Sequence, residues 1–179
     1  MSSDPPHKLI LLRHGKSAYP PGVPDHRRPL ADRGRRQAGF AGEHIANLVG
    51  HIDLVLCSTA ERARQTLAAT GLAAAAPVEF RDEIYAAESE EILDLIVAVP
   101  DSVTTLLVIG HSPGIPELAE RLAGPGSDPQ ALADVERAFP TSAFAVVGVH
   151  GVWSGLPLSG RLVDLTVPRN HPDSTEEKR

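Results

Sequence analysis

Short apolar runs punctuate this chain, and longer stretches with apolar residues at helical spacing separate most of them. Lys8 to Leu12, Ile52 to Cys57, Val78 to Phe80, Thr104 to Ile109, Ala143 to Val149 and Arg161 to Val167 read as strands. The first, second and fourth are nearly continuous in Leu, Val and Ile, as strands buried on both faces are. Between them, Gln37, Phe40, His44 and Leu48 recur near a period of 3.6 and predict a helix capped by Asp32. Ser58 or Thr59 can cap a second helix running through Ala73, with Glu61 three residues after Ser58 as a capping box requires. Ser89 can cap a third over Glu90 to Val99, and Pro113 to Leu122 and Gln130 to Arg137 complete the set. Strands alternating with helices predict an α/β fold: a three-layer sandwich with a central, mostly parallel sheet and helices on both faces.

The length, 179 residues, predicts one domain over residues 1–170 followed by a polar, disordered tail at 171–179. Aromatic residues are only 4% of the chain, so the core must be aliphatic. A net charge of −6 argues against a general binder of nucleic acid or anionic membrane. An anion site in such a molecule must be a local concentration of arginine. One cysteine, Cys57, excludes an internal disulfide framework. The opening residues carry no basic and apolar leader, and no apolar run approaches the ~18 residues a membrane helix needs. A cytoplasmic protein is expected.

Two of the strands end in chemistry. Leu9 to Leu12 runs into Arg13-His14-Gly15, and Thr104 to Ile109 runs into Gly110-His111-Ser112-Pro113-Gly114. In open α/β sheets the carboxyl edge is where ligands bind. A third turn, Ser58 to Thr66, places Arg62 in the first turn of a helix, where backbone N–H groups already favour an anion and a guanidinium adds bidentate contacts. Each feature alone is ordinary: a lone His at a strand end is usually idle, and a lone Arg on a helix is usually solvated. Together they describe a pocket for a phosphoryl group. The loop Ser17 to Pro29, with four prolines, is expected to rim it.

Other chemistries fit less well. Gly110-His111-Ser112-Pro113-Gly114 matches the G-x-S-x-G elbow of serine hydrolases, but the oxyanion-hole N–H would have to come from Pro113, which has none. Cys57 followed by five intervening residues leads to Ala63 rather than an arginine, so the Cys-x5-Arg loop of cysteine phosphatases does not fit, and Cys57 reads as a small buried residue. The remaining histidines lack metal-binding spacing, and His26 reads as an exposed loop residue near the site.

Arg13-His14-Gly15, Arg62-Ala63-Arg64-Gln65-Thr66 and Gly110-His111-Ser112-Pro113 resemble, in order, the three signatures of the histidine phosphatase superfamily, also called phosphoglycerate mutase-like. Pro29-Leu30-Ala31-Asp32-Arg33-Gly34 with Gln37-Ala38 resembles the opening of that family's first long helix, and the likeness spans roughly residues 8–115. Short length and the Lys16-Ser17 sequel look most like the small bacterial phosphohistidine phosphatases. The resemblance implies that His14 is the nucleophile, forming a covalent phosphohistidine that water hydrolyses. It implies that Arg13, Arg62 and His111 bind the phosphoryl oxygens, two guanidiniums and an imidazolium supplying the charge, with no metal or cofactor. The substrate is then a phosphorylated small molecule or a phosphohistidine protein. Many members carry a glutamate as general acid in a Leu-x-Glu setting, where this chain has Ile84-Tyr85-Ala86. Glu83 and Glu88 flank that position and are the candidate acids. A non-catalytic phosphate-binding or regulatory protein on the same fold is the alternative, and the chain looks too short for the insertions of a mutase.

Overall fold

In the computed structural model, residues 7–74 and 76–169 are described. Six strands form one sheet in the order β3-β2-β4-β1-β5-β6. They are β1 (His7–Arg13), β2 (Leu54–Ser58), β3 (Val78–Arg81), β4 (Thr105–Gly110), β5 (Phe144–Val149) and β6 (Gly160–Thr166). The first four run parallel, while β5 pairs antiparallel with both β1 and β6. The helices are α1 (Asp32–Val49), α2 (Glu61–Thr70), α3 (Ser89–Val97), α4 (Gly114–Arg121), α5 (Pro129–Arg137) and the short α6 (Leu156–Ser159). The expected tail at 171–179 lies outside the described residues.

The pleat of the sheet sorts its side chains into two cores. Leu9, Leu11, Leu54, Leu56, Leu106 and Val108 face one way and bury Ile92 and Ile96 of α3, Leu118 of α4 and Val135 of α5. Ile10, Leu12, Val55, Cys57, Leu107 and Ile109 face the other way and bury Ala41 and Ile45 of α1 with Ala63 and Leu67 of α2. Alternation along each strand thus gives helices on both faces, the expected three layers. Leu9 through Leu12 are fully buried, each contributing up to about 2 kcal/mol from apolar burial.

The helix starts differ from the sequence expectation by a residue or so. Asp32 is the first helical residue, preceded by Ala31 without a side-chain cap. Ala60 precedes α2, because the Ser58 hydroxyl accepts from the Ala60 N–H and also meets His111. Glu88, not Ser89, caps α3, in a reciprocal capping box with Glu91. Helix α2 stops at Thr70, where Gly71 turns left-handed at φ 72°, and a 3-10 turn follows at Leu72–Ala74.

One glycine fixes how α1 meets the end of β1. A Cβ on Gly34 would lie 2.2 Å from the Lys16 carbonyl oxygen and 2.8 Å from its nitrogen. On propensity alone Gly34→Ala would gain about 1 kcal/mol in a helix. Here backbone must move, so we expect a net loss of about 3 kcal/mol. Urea unfolding reads the sign directly, and a stabilised variant would refute the packing argument.

Candidate active site

The site lies where two neighbouring parallel strands send their chains to opposite faces. After β1 the chain enters α1 on one side of the sheet, and after β4 it enters α4 on the other. That divergence opens a crevice at the carboxyl edge. Register puts Arg13 beside Gly110, and the His14 N–H donates to the Gly110 carbonyl at 3.0 Å. The rings of His14 and His111 consequently sit 4.9 Å apart, centroid to centroid. Strand β2, on the far side of β4, brings in Arg62 from the first turn of α2. Its Nε lies 3.3 Å from His14 Nε2. Arg13, His14, Arg62 and His111 are therefore assembled in one place, as the sequence suggested.

The hydrogen bonds of His14 fix its tautomer. Nδ1 lies 2.7 Å from the Gly15 carbonyl oxygen, which can only accept, so Nδ1 carries the proton. Nε2 then presents a lone pair, into which the Arg62 Nε–H donates. Burial, with Arg62, Arg13 and Arg28 nearby, pushes the His14 pKa down to about 4. The imidazole is neutral at physiological pH, the state a nitrogen nucleophile requires. His111 is pushed down to about 3 by burial and by His14 and Arg62. This corrects the expected imidazolium: in the free protein His111 is neutral. Its Nε2 lies 2.8 Å from Ser58 Oγ, while the buried Nδ1 has no protein partner.

Arg13 is partly extended into protein. Its Nη1 donates to the Phe139 carbonyl at 2.7 Å, whereas the buried Nε has no protein partner. Burial lowers its pKa, yet an arginine stays cationic. Two buried nitrogens without a protein partner, on residues grouped with His14, are what an oxyanion pocket holds ready.

Neither candidate acid is in this group. Glu83 is exposed and pairs with Arg81 at 3.0 Å, which holds its carboxyl below the usual range. Glu88 is the cap of α3. The carboxylate that does touch the site is one the sequence reading passed over, Asp25 of the proline-rich loop. Asp25 Oδ2 accepts from Tyr85 Oη at 2.7 Å and Arg62 Nη2 at 3.1 Å, and Oδ1 accepts from Arg28 at 2.8 Å. The Tyr85 hydroxyl, with Arg28 and Arg62, lowers the Asp25 pKa to about 2. Tyr85 itself stands 5.7 Å from the His111 ring. His26 is half-buried, bonded to Thr59 at 2.9 Å and edge-on to Tyr85. The expectation that the loop Ser17 to Pro29 rims the site covered the segment but did not single out Asp25.

Two further residues hold the nucleophile's turn. Thr66 Oγ1 accepts from the Gly15 N–H at 2.9 Å and donates to the Arg62 carbonyl at 2.6 Å. Ser142, at φ 64°, donates its N–H to the carbonyls of Arg13 and His14, both at 3.1 Å. Cys57, raised to about 12 by burial, is inert.

Burying two neutral histidines has a consequence for stability. Both protonate near their ordinary pKa when unfolded but only well below it when folded, so the unfolded chain binds more protons in between. Stability is full above pH 6.5 and falls as pH drops toward about 4 and about 3, the folded values. His14 alone should account for about 3 kcal/mol of that loss by pH 4. Urea midpoints from pH 7 to 4 should fall steeply in the native protein and less in His14→Gln. Parallel profiles would contradict the assignment.

The sequence profile of the histidine phosphatase superfamily (branch 1) matches residues 9–86. Uncharacterized protein Rv1276c of Mycobacterium tuberculosis is 46% identical over 160 residues, 88% of this chain and all of that one. A structure from Nakamurella multipartitia, a candidate phosphohistidine phosphatase SixA, is 37% identical with a TM-score of 0.82, covering 92% of this chain and 99% of that one. A protein histidine phosphatase SixA complexed with tungstate is 28% identical with a TM-score of 0.70, over 90% and 97% of the two chains. Among the described residues no helix is long and apolar enough to cross a membrane, and no three His, Cys, Asp or Glu side chains are grouped to hold a metal ion. Likeness of this degree, along nearly the whole length, means that the chain belongs to the histidine phosphatase superfamily.

Proposed function

We propose that this protein is a metal-independent phosphatase that transfers a phosphoryl group to His14 and then to water, with phosphohistidine on a protein as the favoured substrate. The observation that carries the reading is the neutral His14, Nδ1–H bound to Gly15 and Nε2 free to attack. Attack forms an N–P bond as the bond from phosphorus to the leaving group breaks. Arg62 Nε moves from His14 to a phosphoryl oxygen, and Arg13 Nε and His111 Nδ1–H take others, so charge is met by fixed donors. His111 can donate from Nδ1 while neutral, its Nε2 accepting from the Ser58 hydroxyl. Water then attacks phosphorus, releasing phosphate and the neutral imidazole. The whole is one domain, and a soluble setting suits it.

The leaving group follows from Asp25. It is the one carboxylate in contact with these groups among the described residues, and at a pKa of about 2 it holds no proton to give. Leaving groups that need no proton from the site are favoured, above all the imidazole of a phosphohistidine, whose second ring nitrogen takes its proton from solvent before the N–P bond breaks so that it departs neutral. A phosphohistidine peptide and p-nitrophenyl phosphate should exceed an alkyl phosphate in kcat/KM by at least about 100-fold, the factor a general acid supplies. Equal rates would point to a proton donor in the site. Brief reaction with labelled donor, acid quench and peptide mapping should place base-stable, acid-labile phosphate on His14. No label and no release from any donor would favour phosphate binding without catalysis.

A further inference from the structure

The chain's charge is divided sharply. Residues 7–36 contain eight Lys and Arg against two acids, a net of +6, which leaves −12 for the remainder. Those thirty residues are β1, the loop that rims the site and the start of α1. Five of their cations, Lys16, Arg27, Arg33, Arg35 and Arg36, are exposed. None of the five is within ion-pair distance of an acid among the described residues; elsewhere on the surface Arg81, Arg121 and Arg137 are paired, and the exposed, unpaired Arg64, Arg161 and Arg169 are scattered over α2, β6 and the residues after it. They fall in three segments at the mouth: Lys16 in the nucleophile's loop, Arg27 in the rim loop two residues from Asp25, and Arg33, Arg35 and Arg36 at the start of α1. Lys16 is two residues from His14, and its backbone packs on Gly34 and accepts from the Ala31 N–H. That contact sets the start of α1, with Arg33, Arg35 and Arg36, beside the nucleophile's loop. Arg35 reaches Gln65 of α2 at 3.0 Å, on the helix that carries Arg62.

We infer that the substrate is an acidic polypeptide, its phosphorylated residue in the crevice and its flanking carboxylates on Lys16, Arg27, Arg33, Arg35 and Arg36. The inference rests on the phosphatase reading and names the substrate's chemistry. Unpaired cations crowded on one rim raise one another's energy and are relieved by an anionic partner. A small phosphate ester would reach only the groups inside the crevice and leave this rim unused. An extended polyanion such as DNA or an anionic membrane would meet the acidic remainder of the surface. Asp82, Glu83, Glu88, Glu90 and Glu91 stand in sequence just beyond β3, at the same edge of the sheet. A polypeptide segment is compact enough to touch the basic rim alone.

Two phosphohistidine peptides of equal length, one flanked by glutamates and one by glutamines, test this. At low salt the glutamate peptide should be hydrolysed with about 10-fold higher kcat/KM, carried by KM, and the preference should shrink to about 2-fold near 0.5 M salt as screening shortens. In the triple variant Arg33→Gln, Arg35→Gln, Arg36→Gln the preference should vanish while p-nitrophenyl phosphate turnover stays unchanged. Equal rates on the two peptides, or a preference that survives the triple variant, overturns the proposal. So does tighter binding of a DNA duplex or of phosphatidylserine vesicles than of the glutamate peptide. If no donor is turned over at all, the phosphatase reading fails instead. Fluorescence anisotropy of the unphosphorylated glutamate peptide, native against triple variant, still decides whether the rim docks acidic polypeptide.

Discussion

His14→Ala should lower turnover of p-nitrophenyl phosphate by at least about 10⁴-fold and leave a folded protein. The size follows from what is lost. Nε2 is the unprotonated nitrogen at which the Arg62 Nε–H points, in the same group as the unpartnered nitrogens of Arg13 and His111. Removing it removes the covalent route itself rather than one of several stabilising contacts. His111, 4.9 Å away by ring centroid, is no substitute, since its Nε2 is taken by Ser58. The fold should survive because β1 is held by its register with β4 and β5, not by this ring. The Gly15 turn also keeps its bond to Thr66. Steady-state assays with a thermal melt on the same sample make the check. Turnover within about 10-fold of native, with an unchanged melt, would remove His14 from the mechanism.

Much of the site was legible because its signals are local. An apolar run that stops in Arg-His-Gly or Gly-His states both the strand and the edge at which its polar residues emerge. Nothing local, however, turns β5 antiparallel to its neighbours β1 and β6, since antiparallel and parallel runs share the same apolar pattern at these lengths. The helix caps were misplaced where a tertiary partner claimed the capping group, as His111 claims the Ser58 hydroxyl. Glu83 and Glu88 stood near the right place in sequence, but one is drawn to Arg81 and the other is used to start α3. Asp25 and Ser142 were invisible for a different reason. They reach the site only because a loop folds back and because the chain turns at φ 64° before β5. Sequence distances of 37 and 128 residues from their partners Arg62 and His14 carry no periodic trace.

Arg62→Ala should reduce kcat/KM by about 10³-fold, and Arg62→Lys should recover no more than about 10-fold of that. The asymmetry between charge and shape comes from how the guanidinium is spent. Nη1 donates to the Asp25 carbonyl at 2.8 Å and Nη2 to the Asp25 carboxylate at 3.1 Å, which leaves Nε aimed at His14 Nε2 and at the phosphoryl oxygen that displaces it. A lysine ammonium restores the positive charge but not this planar fork, so it can satisfy Asp25 or the phosphoryl group and not both. The loss should fall mainly on kcat, because an oxygen gains charge at the transition state and binds the fixed donor more tightly there. Stability should change little, since Asp25 keeps Arg28 and Tyr85 and is itself half exposed. The Asp25 pKa should rise once Arg62 is gone, because Arg62 contributes to holding it down. A ¹³C-detected titration of that carboxyl, alongside the kinetics, separates a lost phosphoryl contact from a collapsed loop. Intact activity in Arg62→Ala with the Asp25 shift present would mean that the arginine serves the loop alone.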